Sequence, residues 1–307
     1  MSKEISAIGI DLGGTNIKGV LINASGDIMK SLVIDTNSAD SDVADGKHWK
    51  NEIVGMVEQL KDGVVTVAAI GLSAPGLSND RNSAIAHMPK RLQGLENFKW
   101  QDLFKHPDVR VLNDAHAALM AESSLGAGKG IQNQLMLTLG TGVGGAVMIG
   151  GKLYQGFLQR AGHVGHMSLN SEGVPGILDI PGTLEEAFGN ASVANRTNGK
   201  FNSCRELVEG YNKGDILATY FWLNAVQKLS LALASLINIL SPELIILSGG
   251  ITKAGESLMG PLTAFMERYE WRPGGIQTKI CLSAFNEFSG AVGAALYSLT
   301  CKTETKC

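Results

Sequence analysis

Two glycine-bearing segments contain residue types that bind phosphate groups. The first is DLGGTNIK, from Asp11 to Lys18. Consecutive glycines between two strands let backbone N–H groups point into one concavity, and such a nest binds phosphate oxygens. The residues expected to face a phosphate there are Gly13, Gly14, Thr15, Asn16 and Lys18. Asp11 ends the preceding strand, where its carboxylate is placed to hold Mg²⁺ through water. The alternative is a tight hairpin that binds no ligand.

The second segment is GTGVGG, from Gly140 to Gly145, and it formally contains the GxGxxG pattern. A dinucleotide fold needs this pattern between a strand and a helix, with an acidic residue about 20 positions further on. Here the chain continues as a strand after Gly145, and no acid stands near position 165, so a dinucleotide site is rejected. The P-loop pattern is absent as well. We expect Gly140, Thr141 and Gly142 to contact phosphate instead.

A third glycine pair, Gly249–Gly250, follows a strand-like run and precedes a predicted helix. Because glycine has no side chain, such a pair would let a flat adenine ring lie against the backbone. The recurrence of glycine with threonine in the first two segments favours a shared nucleotide site over unrelated hairpins.

Two histidines, His163 and His166, stand three residues apart in RAGHVGHMSL. This spacing can put two imidazoles on one helix face, but Gly162 and Gly165 argue against a helix here. The zinc-protease pattern HExxH is absent. The pair alone therefore does not distinguish a metal site, a catalytic base and a structural role.

Composition bounds the class of protein. The chain has 307 residues, a net charge of −3 and 44% hydrophobic residues, which indicates a soluble protein with room for two domains. No basic excess points to nucleic acid. The four cysteines are far apart and form neither a disulfide framework nor a zinc knuckle, and no signal peptide precedes the first strand, so we expect a cytoplasmic protein. The apolar stretch 229–240 is too short and too polar for a membrane span and predicts a buried helix.

Alternating strand and helix patterns place these motifs on an α/β fold. The predicted strands are 5–11, 16–23, 28–35, 65–72, 109–112, 135–139, 145–149, 244–247 and 279–283. One predicted helix spans 42–60, and another begins after Asn113-Asp114 and runs through 122–125. Much of the chain after Asp215 is also predicted to be helical, as is the segment 289–299. Two strand meanders, each opening on a glycine hairpin and each followed by helices, predict a duplicated unit.

The motifs IGIDLGGTNIKGVLIN and LTLGTGVGGAVMIGGKLYQG resemble those of the ROK family of sugar kinases, and the similarity runs from position 8 to about 294. The resemblance implies ATP, Mg²⁺, a hexose and a homodimer. It also implies a two-lobed actin-like ATPase (ribonuclease H-like) fold with duplicated mixed-sheet units and a cleft between lobes. We expect an N-terminal lobe of residues 1–115 plus about 289–307, and a C-terminal lobe of residues 116–288.

In the same resemblance, the segment VLNDAHAALMAE carries the family's Asn-Asp pair. Asp114 would be the general base that takes a proton from the sugar hydroxyl, while Asn113 and Gly76 of SAPG would bind the sugar. The alternative is that Asp114 only caps the helix that follows it.

The ROK family usually reads GExGH followed by CxCGxxGCLE, whose histidine and three cysteines bind a structural zinc. In this sequence His163 replaces the first glutamate, His166 is the family histidine, and Glu185 is the second glutamate. The three cysteine positions are Gly176, Leu178 and Thr183. Since no thiolate remains, we expect no structural zinc and interpret both histidines as sugar-facing or loop-ordering groups.

The resemblance thus predicts an ATP-dependent hexose kinase acting on glucose or a related sugar, with small-molecule partners only, no nucleic acid and no membrane. A kinase for an N-acetylhexosamine, mannose or fructose is the alternative, because His163 changes an acceptor into a group that can also donate. A repressor is disfavoured, since the ten residues before Asp11 leave no room for a helix-turn-helix domain. A sugar-binding protein without catalysis is disfavoured by the intact acidic residues.

Overall fold

The computed structural model describes residues 6–14, 16–35, 47–64, 66–88, 92–176, 178–285 and 288–303. Thr15, which was predicted to contact phosphate, lies outside the described residues.

Twelve strands and nine helices make up the described part of the chain. The strands are β1 (Ser6–Leu12), β2 (Asn16–Asn23), β3 (Ile28–Asp35), β4 (Val67–Ala74), β5 (Leu77–Ser78), β6 (Ile85–His87), β7 (Val109–Asn113), β8 (Gln134–Leu139), β9 (Val143–Ile149), β10 (Lys152–Tyr154), β11 (Leu244–Ser248) and β12 (Lys279–Leu282). The helices are α1 (Lys47–Lys61), α2 (Trp100–Phe104), α3 (Asp114–Leu125), α4 (Leu184–Phe188), α5 (Val193–Arg196), α6 (Cys204–Asn212), α7 (Ile216–Leu240), α8 (Glu256–Tyr269) and α9 (Ser289–Thr303).

Two five-stranded sheets repeat one topology. The first sheet has the order β3-β2-β1-β4-β7, in which β1, β2 and β3 are antiparallel neighbours while β4 and β7 run parallel to β1. The second sheet has the order β10-β9-β8-β11-β12, again with an antiparallel β8–β9 pair followed by parallel β11 and β12. The matching strand orders confirm the duplicated α/β unit that the two glycine hairpins predicted.

The chain divides into two compact units, one around each sheet. The first unit contains residues Met1–Gly130, Leu153–Ala161 and Ala284–Cys307. The second unit contains Ile131–Lys152 and Gly162–Ser283. This division places α3 in the first unit, whereas the sequence-based boundary assigned residues 116–288 to the second. The reason is packing, because α3 lies directly against α9.

Helix α9 comes very close to the backbone of the first sheet at two glycines. A Cβ atom built on Gly9 of β1 would lie 1.8 Å from the Ala291 carbonyl oxygen, and one on Gly71 of β4 would lie 1.9 Å from that of Ala294. Glycine is therefore required in both strands for the helix to reach the sheet.

Helix α7 forms much of the second unit's core. Its residues Trp222, Leu229 and Leu233 are fully buried. The helix is long and apolar enough to cross a membrane by length and composition, and 50% of its most hydrophobic window is buried inside the protein. That burial is the pattern of a core helix, as predicted for residues 229–240.

Several elements differ from the sequence prediction. The bounds of β2 and β3 are as predicted, and β1, β4 and β7 shift by one to two residues at their ends. Helix α6 was missed, as were the short helices α4 and α5. The predicted helix start at 42 lies outside the described residues, and the described helix α1 begins at Lys47.

Candidate active site

In the first unit, three strands bring their carboxyl ends to one edge of the sheet. The parallel register pairs Asp11 with Ser73, and Ala74 with Asn113. The Ser73 hydroxyl donates a 2.6 Å hydrogen bond to Asp11 Oδ1. Asp114 follows directly as the first residue of α3, with an exposed side chain. This edge of a parallel sheet is where open α/β folds bind ligands.

Asp11 has an unusual charge environment. Burial raises the pKa of its carboxyl to about 6, while the Ser73 hydrogen bond lowers it, nearby Asp114 raises it and Lys18 lowers it. Lys18 is the cross-strand neighbour of Asp11 on β2. Because carboxylate oxygens are the ligands that Mg²⁺ prefers, a divalent cation beside Asp11 would offset both its burial and its repulsion from Asp114.

Gly290, near the start of α9, is a site residue that the sequence analysis missed. A Cβ atom there would lie 2.6 Å from the Asp11 carboxyl carbon. Any side chain at this position would therefore displace the carboxylate. The only sequence signal was the small-residue composition of the helix, which suggested packing rather than a site.

The side chain of Asn113 is partly engaged within the first unit. Its Oδ1 accepts a hydrogen bond from the Ala115 backbone N–H at 3.0 Å and so caps α3. Its Nδ2 donates to the Gly76 carbonyl at 3.0 Å, and Gly76 has a φ of 100°. Asn113 therefore orders both the start of α3 and the SAPG turn, which leaves it one N–H and one lone pair for a ligand.

The Asp114 carboxylate Oδ1 accepts a 2.8 Å hydrogen bond from the Ala115 N–H. The capping position itself belongs to Asn113, so Asp114 is the first helical residue. The backbone bond orients the carboxylate at the helix N-terminus, where negative charge is stabilised.

In the second unit, the glycine loop between β8 and β9 is tied to the segment after α4. The carbonyl of Gly140 accepts from the Asn190 N–H at 3.0 Å, and that of Thr141 accepts from Ala191 at 2.9 Å. On the other side, the Val143 N–H donates to Glu185 Oε2 at 2.9 Å. The predicted sugar ligand Glu185 is thus bonded to the predicted phosphate loop.

Gly142 lies against that same carboxylate. A Cβ atom on Gly142 would be 2.0 Å from Glu185 Oε2. The glycine at this position is therefore explained by the approach of Glu185, in addition to any approach of a phosphate. Gly140, in contrast, has nothing within 4 Å of a built Cβ.

A cavity of about 590 Å³ opens beside the same loop. The predicted residues that line it are Gly140, Thr141 and Gly250. Gly249 has a different role, since its φ is 97° and a Cβ there would lie 2.4 Å from the Leu139 carbonyl. The cavity lies in the size range of small-molecule sites.

Most of the cavity wall was not predicted from the sequence. The further lining residues are Asn190, Cys204, Arg205, Val208, Glu209, Ile251, Lys253 and Ala254. Four of these come from α6, whose N-cap Ser203 accepts a hydrogen bond from the Glu206 N–H. That cap and the helical spacing of apolar residues after it were the available signals for this helix.

His163 and His166 lie in the second unit on one turn of 3-10 helix, Val164–His166. Three residues per turn stack positions i and i+3, and the two rings lie 6.4 Å apart with an interplanar angle of 21°. The described chain has no α-helix here, only this one 3-10 turn, for which His163 is the N-cap. Both rings are partly buried.

Of the three positions at which the family has zinc-binding cysteines, two make hydrogen bonds within the protein and one is exposed. The Gly176 N–H donates to the Ile180 carbonyl, Leu178 is 53% exposed, and Thr183 caps α4 by accepting from the Glu186 N–H. Among the described residues, no group of three or more His, Cys, Asp or Glu side chains is placed to hold a metal ion. The absence of zinc stays a prediction.

Comparison with known proteins shows the family. A model of the ROK family matches residues 7–300, so the chain belongs to the ROK family. It is similar to a glucokinase of Halalkalibacterium halodurans, with 30% identity over 283 residues that cover 85% of each chain. Among solved structures it is similar to a ROK hexokinase from Thermus thermophilus, with 27% identity, a TM-score of 0.85 and coverage of 98% and 100% of the two chains.

A ROK family glucokinase from Streptomyces griseus, solved with glucose and AMPPNP, has 24% identity and a TM-score of 0.77, and the match covers 96% of this chain and 99% of that one. These similarities and the two repeated sheets confirm the predicted actin-like ATPase fold.

Proposed function

We propose that this protein is an ATP-dependent hexose kinase that phosphorylates a sugar hydroxyl, with O6 of glucose as the first candidate. The observation that carries the proposal is the pair of carboxylates, Asp11 and Asp114, at the carboxyl edge of the first sheet, in a chain of the ROK family. One carboxylate is partly buried and the other is exposed, which suits one to a cation and the other to proton transfer. The similarity to a glucokinase supports the choice of glucose.

The second unit would hold much of the nucleotide. The apolar residues Val208, Ile251 and Ala254 line its 590 Å³ cavity, as Gly250 does, and form a surface against which an adenine ring can pack. Gly140 and Thr141 line the same cavity and are the candidates to contact phosphates.

The first unit would contribute the remaining phosphate contacts. The candidates are Gly13, Gly14, Thr15, Asn16 and Lys18, of which Thr15 lies outside the described residues. Asp11, held by Ser73, would hold Mg²⁺ through water. Bound there, the ion would neutralise charge on the transferring phosphoryl group.

Asp114 is the proposed general base. The Ala115 N–H fixes one carboxylate oxygen, so the orientation of the group is set before substrate arrives. An exposed carboxylate can accept the proton of a sugar hydroxyl as that oxygen attacks phosphorus. The proposed sugar contacts are Gly76 and Asn113 in the first unit, and His163, His166 and Glu185 in the second.

A kinase for an N-acetylhexosamine, mannose or fructose is the second candidate, and His163 is the observation that favours it. A neutral imidazole donates at one nitrogen and accepts at the other, so it suits a different hydroxyl or an acetamido group better than glutamate does. We also place the protein in the cytoplasm as a homodimer. Two of the cysteines that the structure describes, Cys204 and Cys301, are free thiols, which suits a reducing compartment.

A coupled assay of ADP release over a panel of hexoses, N-acetylhexosamines and a no-sugar control tests the activity directly. Glucose-dependent ADP release supports the first candidate. ADP release with another sugar alone supports the second. Sugar binding without ADP release from any panel member would instead indicate a non-catalytic ROK protein.

Asp114→Asn should lower kcat by at least about 10²-fold, because the amide cannot take a proton. The unfolding midpoint should stay close to that of the wild type, since Asn113 keeps the helix cap. Asp102→Asn is the matched control, as Asp102 is an exposed acid in the first turn of α2. Near-normal kcat in a folded Asp114→Asn variant would remove this residue from the mechanism.

His163→Glu should change the relative kcat/KM values across the sugar panel. Proton transfer from the sugar hydroxyl to Asp114 should be unaffected. His163→Ala should weaken sugar binding by about 1–3 kcal/mol, the cost of leaving a polar partner unpaired. Calorimetric sugar titrations and the panel assay measure the two effects. An unchanged sugar profile in both variants would exclude His163 from substrate selection.

A further inference from the structure

The second unit contains another cavity, of about 200 Å³, apart from the nucleotide cavity. It lies between the segments 169–174 and 182–183 and helices α4, α5 and α7. We call it the Lys228 cavity, after the lysine that α7 contributes. Three of its lining residues, Leu169, Val174 and Ala187, are apolar. Val174 is 68% exposed, which places one wall at the protein surface.

Three charged side chains, Glu186, Arg196 and Lys228, line this cavity. Among the described residues no ion pair or hydrogen bond engages the Lys228 ammonium or the Glu186 carboxylate. The Arg196 Nε is buried and has no hydrogen-bond partner there either. Because that Nε has almost no accessible surface, the donor that a ligand in this cavity can reach is the unpartnered Lys228 ammonium, which favours an anion.

We propose that the Lys228 cavity binds a small organic anion. Its carboxylate or phosphate group would accept from Lys228 beside the positively charged Arg196 guanidinium, and its carbon skeleton would pack on Leu169, Val174 and Ala187. Because two of the charged side chains are cationic and one is acidic, the cavity lining has a net positive charge. Burial raises the pKa of the Glu186 carboxyl, with neighbouring Glu185 adding to the shift and Arg196 opposing it.

Arg196 also connects this cavity to the nucleotide site. Its Nη1 donates to the Gly189 carbonyl and the Ser192 hydroxyl, and its Nη2 donates to Cys204 Sγ at 3.5 Å. Cys204 lines the nucleotide cavity. The residues just after Gly189 hold the carbonyls of the Gly140–Gly142 loop. An anion beside the Arg196 guanidinium would therefore change nucleotide affinity, which makes it an effector; this role rests on the nucleotide site proposed above.

Binding can be measured without nucleotide or sugar, so its failure is distinguishable from failure of the kinase assignment. The full-length protein is titrated with isovalerate, with inorganic phosphate and with neutral isovaleramide, followed by ligand-observed NMR. Saturable binding of either anion, with no binding of the amide, supports the site and identifies the preferred head group. No saturable binding of either anion, or equal binding of the amide, overturns the proposal.

Two variants locate the site. Lys228→Met should raise the Kd of the anion by about tenfold or more, because one charge-assisted hydrogen bond is lost. Lys213→Met changes an exposed lysine outside the cavity and should leave the Kd unchanged. Ala187→Phe should abolish binding by filling the apolar wall while all three charges remain. Equal weakening by both lysine variants would show non-specific charge attraction and overturn the site.

The effector role has its own readout. The Kd for ADP is measured by calorimetry with and without a saturating anion, in wild type and in Lys228→Met. A shift of about fivefold or more in the wild type only would support coupling through Arg196. An ADP affinity that does not respond to the anion in the wild type would overturn the effector role.

Discussion

At the scale of single residues, neighbouring glycines of one loop have different reasons to be glycine. A side chain on Gly142 would meet the Glu185 carboxylate at 2.0 Å, whereas one on Gly140 would meet nothing within 4 Å and would enter the cavity wall. The phosphate-loop motif suggests Gly142→Val as a nucleotide-specific change. The contact with Glu185 means that it should also disturb this proposed sugar ligand.

Gly140→Val should weaken ADP and AMPPNP binding by at least about tenfold, because a branched side chain would occupy the space into which Gly140 faces. Its unfolding midpoint should match the wild type, since no protein atom is displaced. Calorimetric titration of nucleotide and of sugar gives the comparison with Gly142→Val, for which both affinities should fall. Wild-type nucleotide affinity in Gly140→Val would place the phosphates elsewhere.

At the scale of elements, α9 holds the site of the first unit by close backbone packing. It reaches β1 and β4 over Gly9 and Gly71, and it reaches α3 at Gly293, where a Cβ would lie 1.7 Å from the Ala117 carbonyl. Because α3 begins with Asp114 and α9 begins beside Asp11, the positions of both carboxylates depend on this contact.

Gly293→Ala should destabilise the protein by about 3 kcal/mol or more, since the added methyl meets backbone that cannot move aside cheaply. Gly55→Ala is the matched control, because Gly55 is exposed on α1 with nothing within 4 Å. That change should stabilise the protein by about 0.5–1 kcal/mol through helix propensity. Chemical denaturation midpoints measure both, and equal effects of the two substitutions would contradict the close packing of α3 on α9.

At the scale of the whole molecule, the buried charge at Asp11 makes stability depend on pH. An aspartate in an unfolded chain titrates near 3.8, whereas the pKa of Asp11 is about 6 in the folded protein. Between these values the folded state binds more protons than the unfolded state, so raising the pH through this window lowers the free energy of unfolding. The penalty is complete above about pH 6 and absent below about pH 4.

Asp11→Asn should therefore be more stable than the wild type at about pH 7.5 and equally stable near pH 3.5, with a difference on the order of 2 kcal/mol. The amide oxygen can still accept from Ser73, which preserves the packing. Unfolding is followed in magnesium-free buffer, and the same variant should lose kinase activity. A stability difference independent of pH would mean that Asp11 is not the group responsible.

The sequence by itself determined the five main strands of the first unit, within two residues at their ends, and much of its candidate site. Strands β2 and β3, the duplicated hairpins and the Asn113-Asp114 pair after β7 all follow from local information. Alternation of apolar residues and turn chemistry act over a few positions, so they can be interpreted without knowing which segments meet.

Only the tertiary structure decided which distant residues share a site. Three examples depend on contacts between residues far apart in the chain: Gly290 beside Asp11, Glu185 against Gly142, and α6 as a wall of the 590 Å³ cavity. The assignment of α3 to the first unit depends likewise on its packing against α9. No local sequence pattern encodes these contacts, because they are set by how whole helices and sheets pack to bury apolar surface.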